Sequence, residues 1–214
     1  DPLRDLTPIS QVVAVHFVMV AHPSLPARNV KELIALARSR PGQINYSSSG
    51  PGGAPHLGVE LFKSMAKVDL VHIPYKGSGP SFADLIGGQV SLTCDSLVQA
   101  LPYIRDNRLR ALGVLGAKRS PLLPDVATIA ESGVTGYELT NWFGLLVPAG
   151  TPRDLVTRIN AAVVKVLQQQ DIRERLVAMG ADVVGSSPDD FGAFMQSESA
   201  KWAKVVKEAR IRAE

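Results

Sequence analysis

The chain has 214 residues, room for one large domain or two small ones, and its 45% hydrophobic content is enough for a real core. The 23 basic and 20 acidic residues leave a net charge of +3 spread along the chain. With only 6% aromatics, the basic tract interleaved with aromatics that marks a nucleic-acid binder is missing. The single cysteine, Cys94, rules out a disulfide within the chain and reads as a small buried hydrophobe. The longest apolar run, Val12 to Ala21, is interrupted by His16 and too short to span a bilayer.

In chain order, Val12–Val20 reads as a long strand and Val30–Ser39 as a helix that Arg40-Pro41-Gly42 stops. Ile44–Ser47 is a short strand. A Ser/Gly/Pro loop, Ser47–Pro55, leads into a helix with Leu57, Leu61, Phe62 and Met65 on one face. Leu70–Ile73 is the next strand, and the loop Pro74–Pro80 leads to a helix through Phe82, Leu85 and Ile86 that Gly87-Gly88 closes. Val90–Cys94 is a strand, Asp95-Ser96 opens a helix over Leu97–Arg105, and Leu109–Leu115 is a strand. Trp142–Val147 is a further strand. Thr151 reads as an N-cap with Pro152 at N1, for a helix running to about Gln169. Asp171–Met179 is a short helix ending at Gly180, and Ala181–Val184 is strand-like. Ser187-Pro188-Asp189-Asp190 caps a final helix that continues past Trp202.

Repeated βα units predict an α/β fold with a largely parallel sheet. Residues 22–142 form a self-contained α/β lobe. Residues 1–21 with 143–214 hold too little sheet for a second complete lobe, so that lobe is expected to be incomplete. The chain opens on Asp1 rather than methionine and has no signal-peptide pattern, which reads as processing or truncation.

Three loops carry the chemistry. Each follows the C-terminal end of a parallel strand and feeds a helix N-terminus, the edge where open α/β sheets bind ligands and where free N–H groups favour anions. In the first, Ser48, Ser49, Gly50, Gly52 and Gly53 combine hydroxyl donors with glycines that let backbone approach a ligand, and Pro55 suits a first helical turn. The second contains Tyr75, Lys76 and Gly77, in which Tyr75 offers a ring and a hydroxyl and Lys76 a charge; taken alone, Lys76 reads as a solvated surface group. The third is Asp95-Ser96, in which Asp95 either caps its helix or faces the cleft.

Enzyme patterns fit poorly. Gly50-Pro51-Gly52 begins like a dinucleotide fingerprint, but Pro55 stands at its third glycine position. No Walker loop or G-x-S-x-G elbow is present. His16, His22, His56 and His72 lack metal-type spacing, so no metal or cofactor is expected. Ser49, His56 and Asp95 are in an order that permits a hydrolytic triad, but nothing local demands one.

Several stretches together resemble the Bug family, the periplasmic substrate-binding proteins of tripartite tricarboxylate transporters. They are residues 1–9, Tyr46-Ser47-Ser48-Ser49-Gly50-Pro51-Gly52-Gly53-Ala54-Pro55-His56-Leu57, His72-Ile73-Pro74-Tyr75-Lys76-Gly77-Ser78, 84–90, 109–112, 123–128 and 142–152, in family order. The resemblance implies a Venus-flytrap fold of the periplasmic-binding-protein type, with two α/β lobes and two hinge strands, matched here by Val15–Val20 and Trp142–Val147. It implies no enzymatic activity and a periplasmic location. It also implies an organic acid in the cleft, held on this chain by Ser48, Ser49, Gly50, Gly52, Gly53 and His56, with Asp95 and Ser96 on a ligand-facing loop and Tyr75, Lys76 and Gly77 adjacent. Family members begin with a strand and a Pro-Gly-Gly-type loop that this chain lacks, so one wall of the cleft is expected to be missing. The partners implied are a small organic acid and the membrane subunits of a tripartite transporter or a sensor kinase. The alternative is a truncated remnant that no longer binds ligand and self-associates through exposed sheet edge and apolar faces.

Overall fold

The computed structural model describes residues 1–209 and 211. Its elements are α1 (Pro2–Asp5), β1 (Leu6–Val15), β2 (Phe17–Ala21), α2 (Val30–Ser39), β3 (Asn45–Ser48), α3 (Ala54–Ala66), β4 (Val71–Pro74), α4 (Ser78–Ile86), β5 (Leu92–Ser96), α5 (Leu97–Arg105), β6 (Arg110–Val114), β7 (Asn141–Pro148), α6 (Arg153–Leu167), α7 (Gln170–Ala178), β8 (Ala181–Val183) and α8 (Pro188–Glu208). They divide into two compact units, residues 1–15 with 141–204, and residues 16–140 with 205–209.

The expected strand over Val12–Val20 is two strands, interrupted at His16, and they belong to different sheets. β2 hydrogen-bonds to β5 on one side and β6 on the other, so residues 16–21 belong with the larger unit. This corrects the boundary drawn after residue 21. The same holds at the end of α8, whose last residues from Val205 onward also join the larger unit. Val205 is buried there, and Ser64 of α3 donates to Glu208 at 3.4 Å.

In the larger unit five strands run in the order β4-β3-β5-β2-β6. β3 is parallel to β4 and to β5, whereas β2 is antiparallel to both its neighbours. The sheet is therefore mixed rather than largely parallel, because the chain enters β2 from the other unit instead of through a βα crossover. All five β2 residues, Phe-Val-Met-Val-Ala, are buried, as a central strand covered on both faces requires. On one face Val18 and Val20 pack with Phe82 and Leu85 of α4 and with Leu97 and Ala100 of α5.

On the other face lies α3, and its buried side is not the expected one. Pro55, Val59, Phe62 and Ala66 are buried at helical spacing, while Leu57, Leu61 and Met65 are only partly covered. Gly58 decides this rotation. A Cβ there would lie 2.9 Å from Leu139 Cδ1 and 3.0 Å from Cys94 Sγ, so the helix backbone itself forms the contact surface. Cys94 is fully buried and donates to Pro55 O at 3.0 Å, in keeping with a core role.

The smaller unit is built on the antiparallel sheet β7-β1-β8 with α6, α7 and the first part of α8. Thr151 does not cap α6; its hydroxyl donates back to Pro148 O at 2.7 Å, and Pro152 holds the cap position with no side-chain bond. Ser187 does cap α8: it accepts from Asp190 N at 3.1 Å while donating to the Asp190 carboxylate at 2.6 Å.

Candidate functional site

The three loops leave the same edge of the larger sheet, since β3, β4 and β5 are mutually parallel and each is followed directly by a helix. Hydrogen bonds knit them into one surface. Between the first and second loops the parallel ladder continues past the strands, with Tyr75 N donating to Ser48 O at 3.1 Å and Gly77 N to Ser49 O at 3.0 Å. Between the second and third, Ser78 Oγ donates to Asp95 Oδ2 at 2.6 Å.

The N-termini at this edge have a property in common. The cap residues of α3, α4 and α5 are Gly53, Gly77 and Ser96, and none makes a side-chain capping bond. By contrast α2 in the same unit is capped by Asn29, whose side chain accepts from Glu32 N at 2.9 Å. The first N–H groups of a helix have no intrahelical acceptor; in α5 Leu97 N donates instead to His16 O at 2.9 Å, and those left uncapped carry a partial positive charge toward whatever faces them.

The first loop is shaped from below. Ser48 is buried; its Oγ accepts from Gly50 N at 3.2 Å and shares a 2.6 Å hydrogen bond with His72 Nε2. His56 Nδ1 accepts from Gly52 N at 3.0 Å. The two imidazoles stack at 3.9 Å with 10° between planes, and Tyr46 stacks on His72 at 4.9 Å. Burial lowers the pKa of His56, and burial together with the neighbouring His56 lowers His72 to about 4. Gly50 and Gly52 adopt φ of +137° and +74°, which side chains with a Cβ rarely adopt. Gly53 has ordinary extended backbone, and a Cβ there would sit 3.4 Å from Ser49 Oγ.

In the second loop Tyr75 points its hydroxyl at Asp84, donating to Oδ2 at 2.7 Å, and this bond raises its pKa to about 12. Its ring packs on the apolar cluster under α4. Lys76 is exposed, and Gly77 has φ +102°. In the third loop Asp95 does not cap α5. It is 5% exposed, Oδ1 accepts from Ser96 N at 2.7 Å and Oδ2 from Ser78, so it ties the starts of α4 and α5 together. Burial raises its pKa.

Ser49, His56 and Asp95 are not arranged as a triad: His56 Nδ1 is held by Gly52 and Asp95 by Ser78 and Ser96. Among the described residues no group of three or more His, Cys, Asp or Glu could hold a metal ion, and no helix is long and apolar enough to cross a membrane.

Sequence reasoning missed Ser78 and His72. Ser78 read as one loop residue among several, and its bond to Asp95 links loops 17 positions apart. His72 has no metal-type spacing, and its place in the stretch His72–Ser78 gives it no role of its own. Its pairing with Tyr46 across β3 and β4, which stacks the rings, needs the strand register.

The model of the tripartite tricarboxylate transporter family receptor, TctC, matches residues 1–211. The protein BugT of Bordetella pertussis is 36% identical over 206 residues, covering 96% of this chain and 63% of its own length. A solved R. palustris protein with adipate superposes with a TM-score of 0.86 at 40% identity, over 99% of this chain and 71% of that one. MatC from Rhodopseudomonas palustris with bound malate gives a TM-score of 0.82 at 32% identity, over 96% and 71%. The chain thus spans about 63% of the length of such curated relatives. The fold is the α/β fold of these binding proteins, present in part, and the family is one of receptors, not enzymes. With nearly its whole length matched, this chain belongs to the tripartite tricarboxylate transporter receptor family, TctC.

Proposed function

We propose that this chain is part of an extracytoplasmic solute-binding protein that captures a small organic carboxylate for uptake by a tripartite transporter. The observation that carries this reading is the convergence of three helix N-termini without side-chain caps on one knitted sheet edge. A carboxylate placed there meets backbone N–H donors already oriented, which offsets the loss of its water shell. The adipate and malate of the solved relatives support the substrate class. Ser49, Gly50, Gly52 and Gly53 form the approach surface, and the buried Ser48 supports it from below. Tyr75, Lys76, Gly77, Asp95 and Ser96 border it, with Asp95 and Tyr75 bracing the helices.

The test is thermal unfolding of the chain with adipate and malate, against adipamide as an uncharged control. At a hundredfold excess over Kd, binding adds about 2.7 kcal/mol. For a chain of this size that is a rise of roughly 5–10 °C in Tm. Gly52→Val, with no atom within 4 Å of the new Cβ but strained at a φ of +74°, should abolish the shift, while the strain of about 1–3 kcal/mol lowers the unliganded Tm by several degrees without unfolding the chain. A folded sample that no acid stabilises would overturn the reading.

A second reading, self-association of a chain that binds no ligand, is favoured by Phe143 and Leu145, 57% and 45% exposed on the same face of β7.

A further inference from the structure

The histidine that the sequence places among the ligand contacts stands behind the loop, not on it. His56 is 7% exposed, on the first turn of α3. Its Nδ1 accepts the Gly52 N–H at 3.0 Å, a bond that only an unprotonated nitrogen can accept. The ring cannot turn away freely. His72 lies parallel to it at 3.9 Å, and His72 is held in turn by Ser48 Oγ at 2.6 Å and by the Tyr46 ring. Both ends of the first loop thus rest on one stack of three rings, Ser48 through His72 and Gly52 through His56.

We propose that His56 is a positioning residue: its Nδ1 lone pair, held in place by the stacked His72, sets the shape of the Ser49–Gly53 ligand loop, and the loop keeps that shape only while His56 is neutral. This rests on the carboxylate reading for its effect on ligand, but not for its effect on the loop.

The surroundings supply little to hold a proton on the pair. Glu60 of α3 accepts from the Tyr46 hydroxyl at 2.5 Å and pairs with Lys63 at 2.6 Å, so its charge is offset where it stands. Lys63 also lies 5.7 Å over the Tyr46 ring. Cys94 of β5 donates to Pro55 O, and Glu208 at the end of α8 accepts from Ser64. Protonation at Nδ1 would bring two N–H donors face to face at Gly52, and a charged imidazole would stack on a second histidine. The loop backbone must then move. Burial lowers the pKa of both rings, which places the change below neutral pH.

The experiment follows the Gly52 amide and the His56 ring by NMR during an acid titration of the intact chain, with adipate binding measured calorimetrically at the same pH values. The Gly52 amide should titrate in step with His56, and adipate affinity should fall at least about tenfold once His56 is protonated, the order expected when a buried hydrogen bond is replaced by a donor–donor clash. His56→Asn, whose Oδ1 can accept in place of Nδ1, should bind adipate close to wild type at neutral pH but lose the steep acid dependence. His56→Leu should bind weakly at every pH. A Gly52 amide indifferent to His56 protonation overturns the proposal, as does an Asn variant with the wild-type pH profile. A Gly52 amide that titrates in a chain that binds no acid at any pH upholds the loop device and overturns the carboxylate reading instead.

Discussion

At the scale of the residue, the region under the first loop ties stability to pH. His72 titrates near 4 and His56 below its ordinary value in the folded chain, against about 6.5 unfolded. Between those limits the unfolded chain binds more protons than the folded one. Stability contributed by the pair is therefore complete above pH ~6.5 and is lost as pH falls toward 4. Asp95 works in the opposite sense, because burial raises its carboxyl and the folded chain keeps that proton longer as pH rises. Urea midpoints from pH 4 to 8 for wild type and His72→Gln separate the two: the Gln variant should show a shallower rise toward pH 6.5, and an unchanged slope would refute the assignment to His72. Of the candidate site, the positions of the three loops were legible in sequence, because Ser, Gly and Pro clusters mark turns between strand and helix. Which groups brace and which face outward was not. Asp95 and Tyr75 carry polar atoms suited to a cleft, yet Ser78 and Asp84 engage them, and those partners are fixed only when β4, β5 and α4 are packed.

At the scale of the element, glycines decide how closely layers approach. Gly144 lies in β7 against Phe191 of α8, and a Cβ built on Gly144 would overlap the edge of the Phe191 ring, 2.1 Å from Cζ. Phe191 is fully buried and meets Trp142 edge-on at 5.5 Å, so it has no space to retreat. Gly144→Ala should cost about 1–3 kcal/mol through overpacking, read as a lower urea midpoint with the slope unchanged. A midpoint equal to wild type would mean that the ring relocates freely. Periodicity located α3 but turned it by part of a turn, because it counts the large residues Leu57, Leu61 and Met65. Packing instead follows Gly58, a small residue whose lack of a side chain is what the neighbouring Cys94 and Leu139 require. α2 was read correctly to the residue, since Asn29 caps it and Arg40-Pro41-Gly42 stops it with purely local chemistry.

At the scale of the whole molecule, β7 is an edge strand of the three-stranded sheet, paired on one side only, and it carries the exposed Phe143 and Leu145. An unpaired edge with an apolar face is a site for association between chains. If the chain self-associates through it, Phe143→Glu with Leu145→Glu should shift sedimentation velocity toward the monomer while leaving the far-UV circular dichroism unchanged. Association that persists in this double variant would place the contact elsewhere. The carboxylate test is independent of this one, since its loops belong to the other compact unit.

The sequence by itself determined what is local or cumulative. It established the alternation of strand and helix, the span and stop of α2, the capped start of α8, the three loops at strand ends, and a set of motifs that together identified the family over nearly the full length. Tertiary structure alone decided the split of the first long apolar run at His16 into strands of two sheets. It also reversed β2 against its neighbours and stacked Tyr46, His72 and His56 beneath the first loop. The physical reason is the same in each case. Apolar pattern and turn chemistry are written along the chain, but strand partners and buried hydrogen-bond partners come from distant segments and are chosen only when the layers close.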